Sequence, residues 1–248
     1  MTDSGSLSFF PKKLQILSGS SLKMIAVVTM LIDHIGAYYL RRQAFASAPL
    51  FTVMGKAFSL YQISRDIGRI AFPIFVFLIV EGFQHTHSRI NYARNLFLFA
   101  LISELPWNYA HTGTLRYEKQ NVYFTLLLGY LGMWAIEYFW ENHIAQLLCL
   151  FILFVISYYL KADYGWKGYI FCLIMYLLRN ERAAQAIVGS CWLHYEWKAC
   201  FAYLPINMYN GKRGFLSGKT ALKYAFYAFY PVHILILGLI KYNVIHLP

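Results

Sequence analysis

The chain has 248 residues, 59% of them apolar and 13% charged, and its 22 Lys and Arg against 11 Asp and Glu give a net charge of +11. Soluble domains carry about 25% charged residues, so disorder, a collagen-like repeat, a disulfide scaffold and an ordinary soluble globule are all excluded, and the long apolar runs indicate an all-α polytopic membrane bundle. The basic residues fall mostly in short segments between those runs, where they serve as orientation signals at lipid surfaces; no nucleic-acid partner is expected.

Residues 1–20 form a short lead in which Phe9, Phe10, Leu14, Ile16 and Leu17, with Lys12 and Lys13, suit a membrane surface. Ser20 and Ser21 are candidate caps for the first helix. The remainder reads as one integral membrane domain of about eight spans, with nine or ten possible. They are placed at about 22–40, 67–84, 93–110, 121–140, 144–160, 166–178, 184–208 and 222–245. The seventh is interrupted by His194, Glu196 and Lys198 and reads as one helix or two short pieces. With eight spans, the N-terminal side holds Lys12, Lys13, Lys23, Arg89, Arg94, Arg179 and Arg182. The other side holds Arg41, Arg42, Lys56, Arg65, Arg116, Lys119, Lys161, Lys167, Lys212, Arg213 and Lys219, an excess that favours the cytoplasm for this second set. A double pass in the seventh region would move the 209–222 loop across and shrink that bias. The four cysteines, Cys149, Cys172, Cys191 and Cys200, form no CxxC pair, and neither a metal site nor a disulfide is expected.

Ionisable groups inside a span cost several kcal/mol and are site candidates by default. They are Asp33, His34, Glu81, Glu104, Glu137 and His233. Lys23 and His34 are eleven residues apart, three helical turns, and so share a stripe with Val27, Met30 and Leu31, His34 lying roughly 16 Å deeper. A cation at the mouth and an imidazole at depth suit an anionic ligand. Asp33 lies about 100° round the helix from His34, so it need not polarise that ring. Arg69 opens the second span as a snorkelling anchor or a phosphate ligand. Asn121 and Thr125 share a face of the fourth span, though Asn121 also suits a helix cap. In the last span Tyr230 and His233 are one turn apart, and Pro231 loosens the backbone beside them. His85 and His87 form an HxH whose spacing does not put two ligands on one helix face.

These segments together resemble the TraX family, whose named member is implicated in N-terminal acetylation of conjugative pilin. The resemblance rests on LKMIAVVTMLIDHIG at 22–36, GRIAFPIFVFLIVEGF at 68–83, LISELPWN at 101–108, NVYFTLLLGYL at 121–131, YNGKRG at 209–214 and KYAFYAFYPVHILIL at 223–237. More distantly the chain is similar to the acyltransferase-3 carbohydrate O-acetylases and the lysosomal heparan glucosaminide N-acetyltransferase. In the acyltransferase-3 group an Arg and a catalytic His lie eleven apart on the first helix; Lys23 and His34 match, with Lys replacing Arg. The resemblance implies a multi-pass bacterial cell-membrane acetyltransferase that uses acetyl-CoA. In that reading Lys23, Arg69, Lys212, Arg213 and Lys223 meet the donor phosphates and His34 is the general base. Tyr230 or Asn121 donates to the oxyanion, and Asp33, Glu104 or His233 assists the base. The acceptor would be a peptide or pilin-like amine or a glycan hydroxyl. A non-catalytic factor for pilus or peptide export is the alternative, and a transporter a weaker one.

Overall fold

The computed structural model describes residues 10–216 and 218–242; of these, the side chains of Lys56, Thr220 and Lys223 lie outside the described set, as does Phe9 of the lead. Helix α1 (Gly19–Tyr38) starts earlier than expected, and its cap is Ser18, which accepts from the Ser21 amide. Ser20 instead donates to the Arg213 carbonyl at 2.6 Å, so neither predicted serine is the cap. Residues 41–66, expected as a loop, contain the short α2 (Ala44–Ser47), an antiparallel hairpin of β1 (Pro49–Val53) and β2 (Lys56–Ser59), and most of α3 (Leu60–Gly68).

Helix α4 (Ala71–His85) follows α3 after a two-residue break, and Pro73 sits in its first turn, where its missing N–H costs little. Then come α5 (Arg89–Thr112), α6 (Val122–Tyr138), α7 (His143–Leu160) and α8 (Gly165–Leu177). Helices α4, α6 and α8 carry much of the core, with Ile74, Phe77, Tyr130, Phe171 and Met175 fully buried or nearly so. Small residues let the backbones close up: a Cβ at Gly129 of α6 would meet Cys172 Cβ of α8 at 2.5 Å. Helix α7 buries only Leu153 and Ser157, and its exposed Ile144, Leu147, Phe151 and Ile152 form an outward apolar surface.

The seventh region is broken. Helix α9 (Arg182–Trp192) gives way to a 3-10 run at His194–Ala202, where Glu196 leaves helical geometry (φ −127°, ψ 52°), and then to α10 (Tyr203–Asn207). The chain next returns to the start of α1: Leu17 donates to Met208, Asn210 to Leu17, Gly19 to Lys212 and Ser20 to Arg213, at 2.8–3.0 Å. The 209–219 loop therefore lies at the same end as the N-terminus of α1, the arrangement a double pass requires, and the basic excess read for the opposite side is lost. The last helix, α11 (Thr220–Lys241), packs on α1 and α5.

Among the described residues, three helical stretches are long and apolar enough to cross a membrane: Gly19–Arg42, His143–Leu160 and Tyr224–Lys241; Val122–Tyr138 and Gly165–Leu177 are shorter apolar helices. This is fewer than the eight expected. Polar breaks at Thr86–Ser88, Arg179–Glu181 and His194–Lys198 shorten α4 and the seventh region, whereas α5 is 24 residues long but carries Arg89, Arg94 and Glu104. The 15 residues of α4, for example, span about 22 Å against a hydrocarbon core of about 30 Å.

Candidate functional site

Helices α1 and α11 bring the two membrane histidines together. His34 Nδ1 lies 2.7 Å from His233 Nε2, with the rings tilted by 20°. His233 Nδ1 lies 2.6 Å from the Phe229 carbonyl one turn back on α11. Pro231 removes the donor that would serve the Tyr227 carbonyl in a regular helix, and the Tyr123 hydroxyl of α6 takes its place at 3.2 Å. The proline-loosened turn is thus pinned to α6 and holds His233 against α1.

His34 lines a cavity of about 250 Å³ with Asp33, Arg65, Arg69, His111, Asp163 and Tyr230. The Tyr230 hydroxyl is buried and donates to no described group, and its ring stands edge-on to His34 at 6.2 Å. Across the cavity His111 Nδ1 lies 2.8 Å from the Trp107 carbonyl, and the Tyr38 hydroxyl is 3.2 Å from its Nε2. Asp33 is held away from His34 by Arg65 at 2.6 Å, with Arg69 at 3.8 Å. Arg69 bridges onward to Glu196 at 2.8 Å, and Lys198 pairs with Asp66. The kinked 194–202 segment therefore supplies counter-charges to the break between α3 and α4.

A second cavity of about 550 Å³ opens at the N-terminal end of α1. It is lined by Lys23, His85, His87, Arg213 and Lys219, by one carboxylate, Glu81, and by Gly211, whose φ of +76° and open surroundings leave its backbone accessible. Gly214, at φ +80°, serves packing instead, since a Cβ there would come 2.3 Å from Ser18 Oγ. The Lys23 ammonium sits 5.4 Å from the Phe226 ring centre. Val27, Phe75, Tyr123, Leu126 and Phe226 line both cavities. The stripe from Lys23 through Val27 to Met30 and His34 thus runs along the two cavities; Leu31 does not join it.

The expected donor-binding cations separate. Lys23 and Arg213 line the larger cavity and Arg69 the smaller, while Lys212 lines neither and the Lys223 side chain lies outside the described residues. Two residues considered for the chemistry are engaged elsewhere. Asn121 caps α6 through the Tyr123 amide at 3.1 Å and donates to the Ala100 carbonyl at 2.8 Å and to Glu104 at 2.6 Å. Neither Asn121 nor Glu104 is among the cavity residues, because this pair clamps α5 to α6.

Asp163 escaped the sequence reading. It sits between α7 and α8 in a tight turn where Lys161 (φ 52°) and Tyr164 (φ 63°) adopt left-handed conformations that cost non-glycine residues about 1 kcal/mol or more. Thr125 donates to its carbonyl, its amide donates to Gln120 at 2.9 Å, and Tyr164 stacks on Phe72 at 3.7 Å. Burial pushes the Asp163 carboxyl up to about 6 against the pull of Arg69. The only sequence signal was a short DYG turn between two apolar runs.

No solved structure matches the chain significantly. One similar protein is "Probable fimbrial assembly protein FimC, serogroup H1" of Dichelobacter nodosus, 29% identical over an alignment that covers 89% of this chain and 94% of the relative. The family of TraX protein matches residues 18–241, which takes in every element that builds the two cavities, and the chain therefore belongs to the TraX family.

Proposed function

We propose that the protein is an integral membrane acyltransferase that moves an acetyl group from acetyl-CoA to an acceptor, with His34 as general base. The observation that carries this reading is the pair of adjoining cavities: one at the N-terminal end of α1 where Lys23, Arg213 and Lys219 outnumber the single carboxylate Glu81, and one lined by His34 and His111 beyond a mostly apolar shared wall. The CoA phosphates would lie in the larger cavity against Lys23, Arg213, Lys219 and the Gly211 backbone. The pantetheine arm would pass between Val27, Phe75, Leu126 and Phe226, bringing the thioester to His34.

The acceptor's N–H or O–H proton then moves to His34 as the nucleophile attacks the thioester carbonyl. The tetrahedral oxyanion accepts from the otherwise undonated Tyr230 hydroxyl. The C–S bond breaks, and the thiolate leaves with the proton that His34 had taken. Asp33 and Arg69 hold the α1–α3 junction through their ion pairs.

In this reading α9 and the following 194–207 segment make a short double pass, the bundle crosses the cell membrane several times, and the end bearing Lys23 and Arg213 is cytoplasmic. The fimbrial name of the Dichelobacter protein favours a pilin-like peptide over a glycan as acceptor. The same name also favours one competing reading, a pilus assembly factor without catalysis. Titration of acetyl-CoA into the protein in nanodiscs separates them. Binding in the micromolar range, weakened by Arg213→Ala and spared by His34→Ala, supports the acyltransferase. A folded protein that binds no acyl-CoA supports the assembly factor.

A further inference from the structure

The hydrogen bonds around the two membrane histidines fix more than their separation. A backbone carbonyl only accepts. The 2.6 Å contact between His233 Nδ1 and the Phe229 carbonyl therefore places a hydrogen on Nδ1. In the neutral ring His233 Nε2 is then the acceptor, and the 2.7 Å contact from His34 must be donated by His34 Nδ1. A neutral His34 with its hydrogen on Nδ1 carries its lone pair on Nε2, which bonds to no described group on a side chain that lines the smaller cavity.

We infer that His233 is a positioning residue: the Phe229 carbonyl sets its tautomer, and it in turn sets the tautomer of His34, so that Nε2 of His34 is held bare as the proton-accepting atom. The inference rests on the acyl-transfer reading for its purpose, not for its geometry. The logic is that of a carboxylate orienting a catalytic imidazole, here done by a neutral ring. When His34 Nε2 takes the acceptor's proton, the resulting imidazolium keeps its Nδ1–H bond to His233, and the proton leaves again from Nε2 to the thiolate. His233 gains and loses nothing. Helix geometry supplies the lock: Phe229 and His233 are four apart on α11, and Tyr123 on α6 pins the Pro231 turn between them. His34 needs no acidic partner, and Asp33 is left to Arg65.

The test is ring-15N NMR of the full protein in nanodiscs with labelled histidine, the His34 signals assigned by their loss in His34→Gln. The expected result is a protonated Nδ1 and a bare Nε2 on His34. His233→Gln, whose side-chain carbonyl reaches the position of Nε2, preserves that state. His233→Leu releases it, giving a mixture with hydrogen on Nε2, and lowers kcat on the order of 10²-fold, more than KM changes. His233→Gln recovers at least a tenth of the wild-type rate. Wild-type His34 protonated at Nε2 overturns the inference, and so does an unchanged tautomer in folded His233→Leu. The wild-type spectrum decides even if the Leu variant does not fold. Because it needs no turnover, a correct tautomer in a protein without acyl transfer would defeat the proposed function alone.

Discussion

Asn121→Ala separates architecture from chemistry. Asn121 is fully buried. Its carbonyl caps α6, one amide hydrogen serves Ala100, and the other serves the Glu104 carboxylate at 2.6 Å. The cap is worth about 1 kcal/mol, the neutral bond about 1 kcal/mol, and the charge-assisted bond about 1.5–3 kcal/mol. Truncation also leaves Glu104 only the weak 3.4 Å contact from the residue-121 amide, its other oxygen having no hydrogen-bond partner among the described residues. The three terms are coupled through one side chain, so the expected loss is about 3–4 kcal/mol rather than their full sum. At roughly 2–4 °C per kcal/mol for a chain of this size, thermal unfolding in detergent should begin about 10 °C lower. Acetyl-CoA affinity below that temperature should stay within about threefold, because neither residue lines either of the two cavities. An unchanged melting temperature combined with abolished turnover would falsify the clamp and return Asn121 to the oxyanion site.

Asp163→Asn should stabilise the protein above neutrality. A carboxyl raised from 3.8 to about 6 on folding favours the fold while protonated; that contribution is complete below about pH 4 and lost as pH rises through 6. The variant should therefore exceed wild type by about 2 kcal/mol at pH 8, a value reduced for partial exposure, with the two melting curves converging by pH 4; a gap independent of pH would contradict this. Gly68→Ala places a Cβ 2.1 Å from that of Asp33 and should cost about 1–3 kcal/mol as overpacking; wild-type unfolding would show that α1 and α3 do not meet there. Arg213→Ala should weaken acetyl-CoA about tenfold, as the loss of one charge-assisted contact, whereas Arg69→Ala should barely change it, since Arg69 lies in the smaller cavity beside Asp33 and Glu196. Calorimetry showing the reverse order would put the donor at the other end.

The helical bundle was legible because long apolar runs admit little else in lipid, and the Lys23–His34 stripe because helical spacing needs no tertiary information. The meeting of His34 with His233 was not, since it depends on how α11 packs against α1 across most of the sequence. The pairing of Arg69 with Glu196 depends likewise on a kink that hydropathy does not register. The distribution of basic residues does not fix the ends, because a break in the seventh region moves the 209–219 loop to the end that holds the start of α1. Glu104 looked like chemistry because a carboxylate in a span is costly; its partner Asn121 lies beyond a loop, and only the fold shows the two satisfying each other. Asp163 leaves little trace in the sequence, because a carboxylate in a short turn reads as solvated, whereas here the turn folds inward against Phe72 and Thr125.

The most direct measurement is release of the CoA thiol from acetyl-CoA by the purified protein in nanodiscs, with peptide-amine and sugar-hydroxyl acceptors supplied, for wild type and for His34→Gln. Acceptor-dependent release by wild type and its loss in a folded His34→Gln that still binds acetyl-CoA is the result expected of a histidine-based membrane acyltransferase. Equal release by the two proteins would remove His34 from the chemistry, and no binding of acetyl-CoA by folded wild type would remove the acyltransferase itself.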